Sequence, residues 1–229
     1  MYVPAPPAPN LPAATAVAQL GTYHTIFDPV AAQSLGGTAT TRTLATRLTV
    51  RSRALDVLAG RRAAVTGTLR AAGSPGGLAG RMVFLQALAG RGWSTLAATR
   101  TGPKGAFALR FSPHRIGSTI VRVRFAGGQG LRASRRRLGR LNVYRSVQAS
   151  WYGGGGSLAC GGSLSSGTMG VASRTLPCGM LVTLRFDGRS VRVPVIDRGP
   201  YVEDREFDLT EATKQALGFG DTGAVWSTS

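Results

Sequence analysis

The chain has 229 residues, enough for two small domains at roughly 100–150 residues each and too few for a large α/β-barrel enzyme. It carries 28 Lys+Arg against 10 Asp+Glu, unevenly placed: residues 1–149 hold 21 basic and 2 acidic side chains, residues 150–229 hold 7 and 8. Thirty-two glycines and short apolar runs broken by turns favour an all-β protein over a helical bundle, and no run approaches the roughly 18 apolar residues of a membrane-spanning helix.

Residues 1–40 are rich in Pro, Ala and Thr and carry one charge, Asp28. Such a stretch buries too little apolar surface to offset its ordering entropy, so it is expected to be a disordered linker. From 41 to 146 short strands recur at regular spacing, around Ala63–Leu69, Met82–Leu88, Phe107–Phe111 and Ile120–Phe125. In the last of these Val121, Val123 and Phe125 share one face while Ile120, Arg122 and Arg124 share the other, as in a sheet with one side in a core and one in water. The phrases VTGTLR, TGPKGAFALRF and VRFAGG resemble the Ig-like β-sandwich modules of bacterial secreted and wall proteins, a likeness of fold that says little about chemistry.

Residues 147–229 differ in kind. Asp187-Gly188 sits between two alternating runs, a strong hairpin signal. The segment DLTEATKQALG predicts a helix of two or three turns, with Asp208 and Glu211 at capping-box spacing, Leu209, Ala212 and Ala216 facing inward, and Gly218 closing it. A last strand is expected through Ala224–Trp226.

The ordered motifs ASWYG, ACGG, SRTLPCG, VTLRFDGRSV, VIDRGPY and FDLTEAT…LGFG resemble the double-psi β-barrel of the rare-lipoprotein-A-like family, in its shortened, cysteine-containing actinobacterial form. The resemblance implies a six-stranded barrel carrying an extended groove; with the sandwich and the short helix read above, the expectation is an all-β protein, an Ig-like β-sandwich followed by a six-stranded double-psi barrel with one short helix. It further implies action on peptidoglycan, since better-known members are lytic transglycosylases, while expansins, some cellulases and non-catalytic sugar binders share the barrel.

Glycan cleavage needs a carboxylic acid beside the glycosidic oxygen and a second group as base or nucleophile. Asp197 ends the alternating row Val191, Val193, Val195, where desolvation favours a protonated general acid, and it matches the family's catalytic Asp. The competing reading has Asp197 accepting backbone N–H bonds in its own turn. Two family positions are unmatched: Ser173 stands where catalytic members carry His, and Gly161, Gly162, Ser163 and Leu164 stand where they carry Glu. No Asp or Glu occurs from residue 57 to 186, and His24 and His114 lie elsewhere.

Asp208 is the second catalytic candidate, against a competing role as helix N-cap. Glu203, Asp204 and Glu206 are expected to be solvated. Trp151, Tyr152 and Tyr201 are candidate sugar platforms, with Arg198 as a further substrate contact. Ser163, Ser165 and Ser173 lack both a nearby His and a nucleophile-elbow setting, which argues against a serine hydrolase.

Cys160 and Cys178 are the only cysteines, and two cysteines without clustered His do not complete a zinc site. A disulfide, hence an oxidising compartment, is the expectation; a free reactive thiol is the alternative. No metal or cofactor is called for. The arginines between 122 and 145 suit anionic wall polymers or a plain solvated face; nucleic acid is the weaker alternative, because stacking aromatics are sparse there.

The expected protein is therefore secreted, in the cell wall or envelope, with its signal sequence absent from this chain. Its barrel groove engages peptidoglycan glycan strands with weak or no cleavage. The alternatives are an active lytic transglycosylase using Asp197 as acid, and a structural or protein-partner module of the wall.

Overall fold

The computed structural model describes residues 43–229, so the linker expectation for residues 1–40 lies outside the described residues. The strands run in chain order as β1 (Thr46–Arg53), β2 (Asp56–Leu58), β3 (Ala63–Ala71), β4 (Met82–Ala89), β5 (Gly92–Arg100), β6 (Ala106–Phe111), β7 (Gly117–Phe125) and β8 (Ser134–Tyr152). They continue as β9 (Gly156–Ser157), β10 (Ser163–Leu164), β11 (Val171–Ala172), β12 (Leu181–Phe186), β13 (Arg189–Asp197) and β14 (Phe207–Thr210); helix α1 (Glu211–Leu217) and β15 (Thr222–Ser227) close the chain.

Two cores form. In the first, the sheet β1-β3-β6 faces the run β5-β4-β7-β8, and Val65, Leu69 and Leu109 from one side meet Val83, Leu85, Val121 and Val123 from the other. The alternation read along Ile120–Phe125 holds: Val121, Val123 and Phe125 are buried. In the second, the order β14-β11-β13-β12-β15-β8 is closed by β14 pairing parallel with β8, giving the six-stranded barrel around Val171, Val182, Leu184, Val193, Val195, Phe207, Leu209 and Val225. Asp187 and Gly188 both have positive φ, 43° and 81°, at the tight turn joining β12 to β13.

The helix begins differently from expectation. Its N-cap is Thr210, whose side chain accepts from the Thr213 N–H, while Asp208 lies two residues earlier inside β14. The expected capping role of Asp208 is thereby overturned: strand pairing with Ser150 and Ala172 takes the residue before the helix starts. The helix buries Thr213 and Leu217 and leaves Ala216 exposed; Gly218, with φ 66°, closes it as expected.

Strand β8 belongs to both cores. Its first half pairs with β7 and β2, its second with β15 and β14. At the crossover Tyr144 is fully buried, its ring 5.9 Å from Trp226, and its hydroxyl donates to Asp56 Oδ1 at 2.8 Å. Asn142 Nδ2 donates to the same oxygen at 2.8 Å, and Arg185 Nη1 of β12 lies 3.7 Å from Oδ2. Burial, followed by the Asp56 hydrogen bond, raises the Tyr144 pKa, so its proton is held.

Asp56→Ala orphans the buried Tyr144 hydroxyl and is expected to cost about 1–3 kcal/mol in chemical denaturation, with Asp56→Asn costing less because an acceptor remains. Stability is also expected to fall above about pH 10, where unfolded tyrosines ionise but Tyr144, its pKa raised by folding, does not. Tyr144→Phe should flatten that alkaline loss in a pH series of thermal melts.

Candidate functional site

Alternation along β8 places Ser150 and Tyr152 on one face and Trp151 on the other. Ser150 pairs with Asp208 of β14, and its hydroxyl donates to Asp208 Oδ1. Asp208 in turn pairs with Ala172 of β11, and Ala172 pairs on its other side with Asp197 at the end of β13. The two half-buried carboxylates therefore flank one small residue across three neighbouring strands.

Asp197 Oδ1 accepts the backbone N–H of Ala159 and of Arg198, both at 2.9 Å. The turn-holding role weighed from the sequence is thus present, while Oδ2 accepts no hydrogen bond among the described residues. The Ala159 contact matters beyond the turn, because it ties the short β9–β10 hairpin to the strand end. Cys160 N–H donates to the Ile196 carbonyl at 3.2 Å, and the Cys160–Cys178 disulfide, with Cα atoms 5.6 Å apart, binds the same hairpin to the loop before β12. The disulfide expectation is met.

The Tyr152 hydroxyl is buried with no hydrogen-bond partner. Burial first, then the Asp197 carboxylate, then Asp208 raise its pKa, so it keeps its proton near two carboxylates. Gly199 forms the floor nearby: a Cβ built there would lie 3.9 Å from each of Ala172 Cβ, Asp208 Oδ2 and Tyr201 Cε2. Tyr201 is 81% exposed and stands over this floor as a free aromatic face.

Two expected contacts have other occupations. Trp151 donates from Nε1 to Asp221 Oδ1 at 2.9 Å, and Lys214 Nζ covers its ring at 3.8 Å from the centroid while also bonding Asp221. Those bonds from Lys214 and Trp151 hold the Asp221 carboxyl below its usual pKa. The Arg198 guanidinium donates to the Ser173 and Leu176 carbonyls at 3.0 and 2.9 Å and to Cys178 Sγ at 3.1 Å, pinning the TLPC loop. Glu206, expected to be solvated, instead forms a two-pronged ion pair with Arg145.

The unmatched positions have structural meaning. Ser173 is 1% exposed, its Oγ accepting from the Leu176 N–H. Gly161 and Gly162 have φ of 93° and 84°, a backbone that costs an L side chain about 1–2 kcal/mol. Sequence reasoning missed Ser150, although its two-residue spacing from Tyr152 was a usable signal. Among the described residues no group of three or more His, Cys, Asp or Glu comes together to hold a metal.

Residues 144–226 match a family model described as lytic transglycolase. Over 100 residues the chain is 36% identical to the probable endolytic peptidoglycan transglycosylase RlpA of Aquifex aeolicus, covering 42% of this chain and 44% of that protein. Over 89 residues it is 42% identical to the endolytic peptidoglycan transglycosylase RlpA of Pseudomonas aeruginosa, covering 36% of this chain and 26% of that protein. The chain thus spans less than half the length of these curated relatives. Among solved structures it aligns with a Streptomyces papain inhibitor at 22% identity and a TM-score of 0.32, over 37% of this chain and 91% of that one.

Cys160→Ser with Cys178→Ser is expected to destabilise the fold by about 3 kcal/mol in the chain-entropy model. Hydrogen exchange should show the added opening concentrated at Gly156–Leu164, and protection there equal to that of the oxidised protein would refute the clamp.

Proposed function

With residues 144–226 a double-psi β-barrel of the rare-lipoprotein-A type, we propose that its groove engages peptidoglycan glycan strands and cleaves them weakly or not at all. The observation that carries this is the set of side chains gathered around Ala172 and Gly199. Asp197, Asp208 and the protonated Tyr152 bracket Ala172 and Gly199 beside the exposed Tyr201 ring, a mixture of acceptors, a donor and an apolar face suited to sugar hydroxyls and ring faces. The printed names of the relatives supply the substrate class.

Weak cleavage follows from what surrounds Asp197. Its Oδ1 is occupied by two backbone N–H groups, and the residue at the family's His position is the buried Ser173. Loss of a positioned general base commonly costs about 10²–10⁴ in rate. One observation favours the enzymatic alternative: Asp208, released from the helix cap and oriented by Ser150, provides a second carboxylate in the same groove.

The first core supports the Ig-like reading, since β1-β3-β6 faces β5-β4-β7-β8 with β2 running parallel along β8. A wall or envelope location fits the disulfide, and no helix among the described residues is long and apolar enough to cross a membrane. We assign residues 43–146 to anionic wall polymers and residues 147–229 to glycan.

Purified peptidoglycan should sediment the full chain while releasing anhydro-muropeptides at or below the limit of mass spectrometry. Tyr201→Ala should weaken sedimentation roughly tenfold, about what one lost base-sized stacking contact of 1–3 kcal/mol implies. Any release that is seen should drop on Asp197→Asn with sedimentation preserved. Robust release that survives Asp197→Asn and fails on Asp208→Asn would instead establish the enzyme with Asp208 as its acid.

A further inference from the structure

The outward face of β7 and β8 carries arginines directly opposite one another. Arg122 pairs with Arg137 and Arg124 with Arg135. The register shifts between Val121 and Arg122, skipping Leu138 on β8, so Arg140, opposite Ile120, joins the Arg135/Arg137 face that simple alternation would deny it. Five guanidiniums thus share one face, and the described residues from 57 to 186 contain no acid to answer them.

This arrangement works against folding. Like charges directly opposite across strands destabilise a sheet. The Arg122 guanidinium registers the strain: burial, then the charges of Arg124, Arg135 and Arg137, lower its pKa. Arg122 also lies 3.8 Å over the Trp93 ring and donates to Gln86 Oε1 at 3.0 Å, so it is held in place. Asp56, whose strand β2 runs along β8, is spent on Asn142, Tyr144 and Arg185.

We propose that this face is a docking site for a flexible, base-free phosphate polymer of the polyol-phosphate type. Neighbouring strands lie about 4.8 Å apart and same-face residues on one strand about 6.7 Å apart, so the four paired arginines form a grid of forked donors along which successive phosphates can be held. A nucleic acid fits less well: the ring of Trp93, the aromatic against this arginine cluster, already has the Arg122 guanidinium stacked over it, which makes it a poorer platform for a base. The site is separate from the barrel groove and does not depend on the glycan reading.

The test uses the full chain with three probes of equal phosphate number: a polyglycerol phosphate oligomer, inorganic polyphosphate and single-stranded DNA. Four phosphate contacts at about 0.7 released counterions each predict a log–log salt slope near −3, or roughly 50-fold weaker binding between 50 and 200 mM salt. The variant R124S/R135S leaves the Arg122–Trp93 contact intact. It should bind polyglycerol phosphate at least tenfold more weakly with about half the salt slope, while its melting temperature stays level or rises and peptidoglycan sedimentation is unchanged.

Undiminished polyglycerol phosphate binding by the variant would overturn the site. A fall in melting temperature without loss of affinity would make the arginines structural. DNA binding as tight as polyglycerol phosphate binding would replace the proposed partner with nucleic acid.

Discussion

The molecule depends on the continuity of one strand. Ser134–Tyr152 runs for nineteen residues and exchanges partners midway, from β7 and β2 to β15 and β14. A strand shared by two cores transmits position better than a linker, because it is hydrogen-bonded to a neighbouring strand from one end to the other. Ser150 and Tyr152 are therefore placed beside Asp197 and Asp208 by a strand whose other end is anchored in the first core. Asp56 secures the crossover, accepting from Asn142 and Tyr144 on β8 and facing Arg185 of the barrel. The change of core, between Val143 and Val147, falls inside this strand.

What the sequence revealed follows from how local each signal is. Alternation along Ile120–Phe125 and across Asp187-Gly188 is a property of consecutive residues, and both regions fold as it indicates. The helix start is less local. DLTEAT offers overlapping caps, Asp208 with Glu211 and Thr210 with Thr213, and only the pairing of Asp208 with Ser150, 58 residues away, selects the second. Similar distance hid the Arg145–Glu206 pair and the capping of Trp151 by Lys214 and Asp221. Each partner lies beyond the reach of any periodicity.

The groove shows how one residue gains chemistry by losing a structural duty. An aspartate at an N-cap spends its oxygens on backbone N–H groups. Asp197 does this at the β13 turn, with Ala159 and Arg198 as donors. Asp208, relieved by Thr210, keeps Oδ2 beside Gly199 and takes only a hydroxyl bond from Ser150. The candidate chosen first from motif matching is thus the more encumbered of the two, and the second has the freer carboxylate. The hairpin clamped by Cys160–Cys178 shapes the same edge, since it supplies the Ala159 N–H that occupies Asp197.

The geometry of the shared strand also bears on how two weak surfaces would act together. Arg135 and Arg137 lie near its start and Ser150 and Tyr152 at its end, about fifteen residues apart, or on the order of 45–50 Å for an extended strand. That span is fixed by hydrogen bonding in both cores, so it cannot collapse as a flexible linker would. A wall fragment carrying both glycan and phosphate polymer would, once held at one end, meet the other surface at an effective concentration set by its own chain, not by the protein's motion. Each surface could then be weak alone while the pair retained its target. A fragment too short to cover the span would gain nothing from the second surface, which ties the avidity of the protein to the length of β8.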